Sequence, residues 1–187
     1  MKYYNIFFDT TKVNGWFLDN LSTTDGKVLD AREFTCGKLH DSLPAMTLGI
    51  TSGSEPADFS FGEFMLQVVN ARTAKILTKI ALPDELQMFP VKVQQRQGHY
   101  LILNIVKVIN CVDENESEFI KWTKRDHRAD KAGQYRQISR LRILSDKAFG
   151  AQIFRLWGYK VVTVISAKLK TAFERAGVTG ISYHCIT

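Results

Sequence analysis

The sequence predicts an α+β fold: mixed sheets with two similar strand-helix-strand units forming two lobes of one domain. Three observations predict it. Apolar runs of strand length are separated by turn residues, two amphipathic stretches carry helix caps, and both stretches sit in the same local pattern. At 187 residues the chain suits one domain. A chain of this size buries about 70% of its unfolded surface, enough for a core without disulfides or structural metal.

Tyr3 to Phe8 reads as a first strand. Residues 9–62 are rich in Gly, Ser, Thr and Asp, with apolar residues too sparse for long elements. Short strands are expected near Val28 to Phe34, with Pro44 and Pro56 in loops. Phe64 to Val69 is a compact apolar run of strand length, and Asn70 behind it is a good helix N-cap. Ala74, Leu77, Ile80 and Ala81 share one helical face, which Pro83 closes.

Phe89, Val91 and Val93 then alternate with Pro90, Lys92 and Gln94, the pattern of a half-buried strand. Pro90 cannot donate to a ladder and belongs at an edge or bulge. After a Gln97-Gly98 turn, Tyr100 to Ile109 is apolar on both faces, as a central strand requires. The end of the chain repeats the design. Lys160 to Ile165 reads as a strand, Ser166 as an N-cap, and Leu169, Ala172, Phe173 and Ala176 as a helical face. Gly177 stops that helix, and Val178 to Tyr183 forms the closing strand. At an offset of 96 residues, Val68, Asn70 and Ala71 meet Val164, Ser166 and Ala167.

Composition narrows the function classes. Met1 to Phe8 lacks the long apolar region and cleavage site of a signal peptide. The run from Tyr100 to Ile109 contains Asn104 and Lys107 and is about half the length of a membrane-spanning helix. A soluble cytoplasmic chain is expected. Cys36, Cys111 and Cys185 are scattered without a CxxC pair, which reads as reduced thiols.

Charge is uneven. Lys121, Lys124, Arg125, Arg128, Lys131, Arg136, Arg140 and Arg142 face only Asp126 and Asp130 within residues 121–142, so eight minus two gives +6, equal to the net charge of the whole chain. Such an excess speeds association with an acidic partner and is screened by salt. Trp122 and Tyr135 lie in the same stretch, and Arg, Trp and Tyr are the types that carry binding energy at interfaces. Trp122, Lys124, Arg125, Arg128, Tyr135 and Arg136 are therefore the candidate partner-binding residues. A solvated loop that keeps the chain soluble is the plainer reading.

Motifs of catalysis are missing. The chain has no Gly-rich phosphate loop, no HExxH and no GxSxG, and its four histidines are far apart. Asp126-His127-Arg128 has the residue types of an acid-base pair, but neighbours in an extended chain point apart, and the stretch is loop-like. The acidic run from Asp113 to Glu118 has the carboxylates for a hard cation, yet reads better as a turn capped by Asp113 or Ser117. No catalytic residue, metal site or cofactor is expected.

Tyr100, Leu103 and Asn104, then Cys111 and Asp113, then Ser117-Glu118 resemble the core pattern Y-x-x-L-N, C-x-D, S-E of a bacterial immunity family. Phe89-Pro90-Val91 matches the strand leading into that core. Ile153-Phe154-Arg155-Leu156, Val161 to Ser166 and Gly177 to Tyr183 are similar to its ending. The chain resembles the eleventh numbered immunity family of polymorphic toxin systems over about Asp58 to Tyr183. The resemblance implies a single immunity-type domain over 1–187, with a variable part at 1–62 and a family-like core at 63–187. It further implies a cytosolic protein that binds a cognate toxin encoded beside it, with no membrane partner. The matched Tyr100, Asn104 and Asp113 read as structural, and Arg155 is expected to pair with Asp113 or Glu118. The other reading of the basic stretch is a nucleic-acid-binding module with Trp122 and Tyr135 stacking on bases.

Overall fold

The computed structural model describes residues 1–11 and 14–187. In chain order the elements are β1 (Tyr3–Phe8), β2 (Phe17–Thr23), β3 (Met46–Ser52), β4 (Phe59–Phe61), β5 (Gln67–Asn70) and helix α1 (Ala71–Ile80). There follow β6 (Leu86–Val93), β7 (Tyr100–Ile105), β8 (Val108–Ile109), β9 (Glu118–Lys121) and β10 (Tyr135–Arg140). The chain closes with β11 (Ile153–Leu156), β12 (Tyr159–Ser166), helix α2 (Ala167–Arg175) and β13 (Ile181–Cys185). This is the expected α+β class. One sheet runs β13-β1-β12-β11-β8, a second runs β2-β3-β6-β7-β5-β4, and β9 with β10 makes a separate two-stranded ribbon.

Both helices form where capping and periodicity predict them. The Asn70 side chain accepts from the Thr73 amide, and the Ser166 side chain accepts from the Leu169 amide. Each helix buries its apolar face: Ala74 and Leu77 from α1, Leu169 and Phe173 from α2. Full burial of Leu77, Leu169 and Phe173 stabilises by about 1.5–3 kcal/mol each. Gly177, in the left-handed region at φ 62°, ends α2.

The two units share more than local pattern. β5 and β6 flank antiparallel β7, and β12 and β13 flank antiparallel β1, so each helix connects parallel strands across one intervening strand. β4 pairs antiparallel on the far side of β5, as β11 does beside β12. Gln67 Nε2 donates to Thr163 Oγ1 at 2.7 Å, joining matching positions 96 residues apart. Phe59, Val69 and Leu103 from the six-stranded sheet pack in one cluster with Ile6, Ile165 and Ile181 from the five-stranded sheet and with both helices.

Several local expectations are corrected. The stretch expected as strand near Val28 to Phe34 forms a 3-10 turn at Ala31–Phe34, because the Asp30 carboxylate accepts from the Arg32 amide and caps it. Strand pairing after Phe64 begins only at Gln67, since Phe64 and Met65 take left-handed backbone. The run from Tyr100 to Ile109 is broken: β7 serves one sheet and β8 the other, with Val106 and Lys107 as the bend. Both bend amides donate to the Glu85 carbonyl. Pro90 lies in an interior strand, but at its register only β7 is paired, and the β3 ladder starts at Val91.

Beyond the two main sheets, the segment from Ile109 to Ala151 covers the outer face of the five-stranded sheet. Cys111, Ile143 and Ala148 pack there against Tyr3, Phe154 and Leu156. The β9–β10 ribbon projects from this cover. Across the molecule, Trp16, Leu18, Met46 and Leu48 from the N-terminal third pack with Val91 and Ile102. No helix among the described residues is long and apolar enough to cross a membrane.

Candidate protein-binding hairpin

The basic stretch folds as a hairpin whose strands are β9 and β10 and whose loop spans 122–134. Trp122 and the loop's far end close it: the Trp122 amide donates to Gln134 O and the Gly133 amide to Trp122 O, both at 2.9 Å. Inside the loop Asp126 Oδ2 accepts from the Thr123 amide at 2.6 Å and hydroxyl at 2.8 Å. Those bonds hold its carboxyl below the usual carboxylate range, with a smaller contribution from Arg136. The Arg136 guanidinium lies 5.1 Å from the Trp122 ring centroid, and His127 meets the same ring edge-on at 5.3 Å. Stacking of this kind contributes about 0.5–1 kcal/mol at exposed sites.

The ribbon is anchored at its base. Tyr135 is only 4% exposed, and its hydroxyl donates to Glu114 Oε1 at 2.6 Å. Burial, then Glu114, pushes the phenol pKa upward. Lys121 pairs with the same carboxylate oxygen at 2.6 Å. Phe119 meets Tyr135 edge-to-face at 5.2 Å, and Phe119 and Ile138 pack against the core cluster beneath. Tyr135 thus supports the hairpin from inside, while Trp122 is half-buried and Lys124, Arg125, Arg128 and Arg136 are exposed.

The acidic run beside it forms a turn. Asp113 Oδ1 accepts from the amides of Asn115 at 3.0 Å and Glu116 at 3.4 Å, and Ser117 Oγ bonds both backbone groups of Arg142. Its carboxylates face the hairpin base: Glu114 meets Lys121, and Glu116 and Glu118 lie 3.7 Å from Arg140. Arg128 pairs with Asp130 at 2.8 Å and Arg136 reaches Asp126 at 3.9 Å. Among the described residues Lys124, Arg125 and Lys131 have no ion pair. The base is compensated and the tip carries the surplus charge.

Arg155 does not meet Asp113 or Glu118. It is fully buried, with Nη1 donating to Lys160 O at 2.7 Å and Nε and Nη2 without protein partners. Spacing along β11 explains the miss. Ile153 and Arg155 share the face turned inward between the sheets, whereas Phe154 and Leu156 face the 109–151 cover that holds Asp113. Asn104 does find internal partners, donating from Nδ2 to Lys38 O at 2.7 Å and Gln87 Oε1 at 2.9 Å.

Trp157 is a surface residue that composition alone passed over. It is 47% exposed in the two-residue turn between β11 and β12, and the adjoining Gly158 carbonyl accepts from the Tyr135 amide at 3.0 Å. The signal was present: Trp157-Gly158 separates two apolar runs, the arrangement of a tight hairpin turn. Among the described residues no group of three or more His, Cys, Asp or Glu gathers in metal-binding geometry.

The family model described as "Immunity protein family (Imm11)" matches residues 18–187. A search of curated proteins returned no match. The match begins well before Asp58 and takes in β2 and β3, which extend the same sheet as β6 and β7. The chain belongs to the Imm11 immunity protein family.

Proposed function

We propose that this chain is a cytoplasmic immunity protein that binds the secreted toxin encoded beside it and blocks that toxin by occlusion, without turnover of its own. Family membership supports toxin immunity. The observation that carries the mode of action is the hairpin: a rigid base, compensated charge at that base, and unpaired Lys124 and Arg125 at an exposed tip. Trp122, Lys124, Arg125, Arg128 and Arg136 form the contact surface in this reading, and Tyr135 holds it in place. A toxin face that accepts this tip is acidic. Encounter is then steered by charge and slows with added salt.

Isothermal titration against the adjacent toxin tests the proposal. The variant K124E/R125E/R128E is expected to bind at least tenfold more weakly than wild type and to lose the wild-type salt dependence. An unchanged affinity removes the hairpin from the interface. Stacking on bases is the less favoured use of Trp122, because its ring is already engaged by Arg136 and His127.

A further inference from the structure

One wall of the hairpin borders a groove of about 690 Å³ that runs between β10 and the outer face of the five-stranded sheet. Phe7 on β1, Val161 on β12 and Ile138 on β10 give it apolar walls, and Arg140 and Arg142 stand at its rim. Phe7 is 45% and Val161 48% exposed, so two large apolar side chains face solvent at this site. None of the described lining residues carries a carboxylate, although Glu116 and Glu118 approach the rim at Arg140 and leave Arg142 as its uncompensated cation.

Both arginines have donors to spare. Arg140 lies 3.7 Å from Glu116 and Glu118, beyond direct hydrogen-bond contact, and Arg142 uses Nη1 on Cys185 O at 3.0 Å.

We propose that the groove receives an extended acidic and apolar segment of the toxin. Carboxylates of that segment meet Arg140 and Arg142, and an apolar side chain lies between Phe7 and Val161. Charge complementarity and continuity with β10 select this occupant over a neutral or basic one. The inference rests on the toxin-binding reading and adds a second contact, with different chemistry, to the cationic tip.

Two measurements test it. In titrations with the adjacent toxin, Val161→Glu and Arg140→Glu are each expected to weaken binding at least tenfold. In amide NMR titrations, the capped hexapeptide Glu-Leu-Asp-Phe-Glu-Leu should shift resonances around Phe7, Val161 and Arg140, and its counterpart with Lys at each acidic position should not. Phe7 and Val161 are about half exposed, so Val161→Glu and Phe7→Ser should keep the wild-type thermal transition. Arg140→Glu also removes the contacts with Glu116 and Glu118, and Phe7→Ser supplies the check that leaves the hairpin base intact. Full toxin affinity in both Val161→Glu and Arg140→Glu overturns the groove proposal, even where the hairpin variant loses binding. If wild type binds no toxin, the immunity reading fails, and the peptide titration alone decides the groove. Shifts confined to it support the proposal, while no shifts, or equal shifts with the Lys peptide, overturn it.

Discussion

Asp58 ties three parts of the chain together. Its carboxylate accepts from Asn70 Nδ2 at 2.7 Å, from Arg72 Nη2 at 2.6 Å, and from the Thr179 amide and hydroxyl at 3.0 and 2.9 Å. Burial by itself raises the carboxyl pKa, but Arg72, Thr179 and Asn70 together outweigh burial and hold it below the usual range. A carboxyl whose folded-state pKa is depressed stabilises the fold fully above its unfolded value, near 3.9, and that stability is lost as pH falls through the folded value. Asp58→Asn is expected to cost about 1–3 kcal/mol at pH 7. In urea denaturation across pH, the gap between variant and wild type should close below about pH 4.

Arg155 presents the opposite case. Burial lowers its pKa to about 10, so it remains charged at neutral pH with a single protein acceptor. Buried charges that are poorly partnered often cost more than they return. Arg155→Met is therefore expected to match or exceed wild-type stability, while Arg155→Ala, which leaves a void, should lose about 2–5 kcal/mol. Chemical denaturation of the two variants side by side separates charge from volume. Sequence alone placed Arg155 in the Ile153-Phe154-Arg155-Leu156 motif, but assigned that motif neither a strand nor the face that Arg155 takes.

Among the elements, the two helices were legible because capping and apolar spacing are local properties. Their caps differ in burial. Asn70 is half-buried, whereas Ser166 is fully buried and also donates to Gln152 Oε1 at 2.7 Å. Asn70→Ala and Ser166→Ala should each cost about 2 kcal/mol, because each loses a cap and a further side-chain bond, Asn70 Nδ2 to Asp58 and Ser166 Oγ to Gln152. Urea midpoints with unchanged slopes would establish both values. The hairpin was visible as charge but not as a ribbon, since β9 and β10 carry no strong alternation. The strands between residues 9 and 62 were hidden for a different reason. β3 finds its second partner in β6, far along the chain, through the pairs Met46 with Val91 and Leu48 with Val93. Long-range pairing of that kind leaves little trace in a local window.

Across the whole molecule, the proposed contact surface and the main core occupy separate regions. The shared cluster of Phe59, Phe61, Leu103, Ile153, Ile165 and Phe173 lies between the sheets, remote from the hairpin tip. The tip and the groove instead stand on the cover packed against the opposite face of the five-stranded sheet. Residues of the proposed contact surface can therefore change without disturbing the main core. That separation is why composition pointed to the hairpin, yet groove residues such as Phe7 and Val161 passed as ordinary strand positions.

The bend at Val106 and Lys107 has a further consequence. One continuous backbone passes from β7 into β8, and its amides are held by the Glu85 carbonyl at 2.9 and 3.1 Å. Prying the layers apart would tear those two bonds and drag a strand out of each sheet at once. Deuterium should accordingly replace both protons only on global opening, at the same slow rate as the Ile102 amide in mid-strand. Rapid uptake at the bend alone would reveal layers that breathe independently.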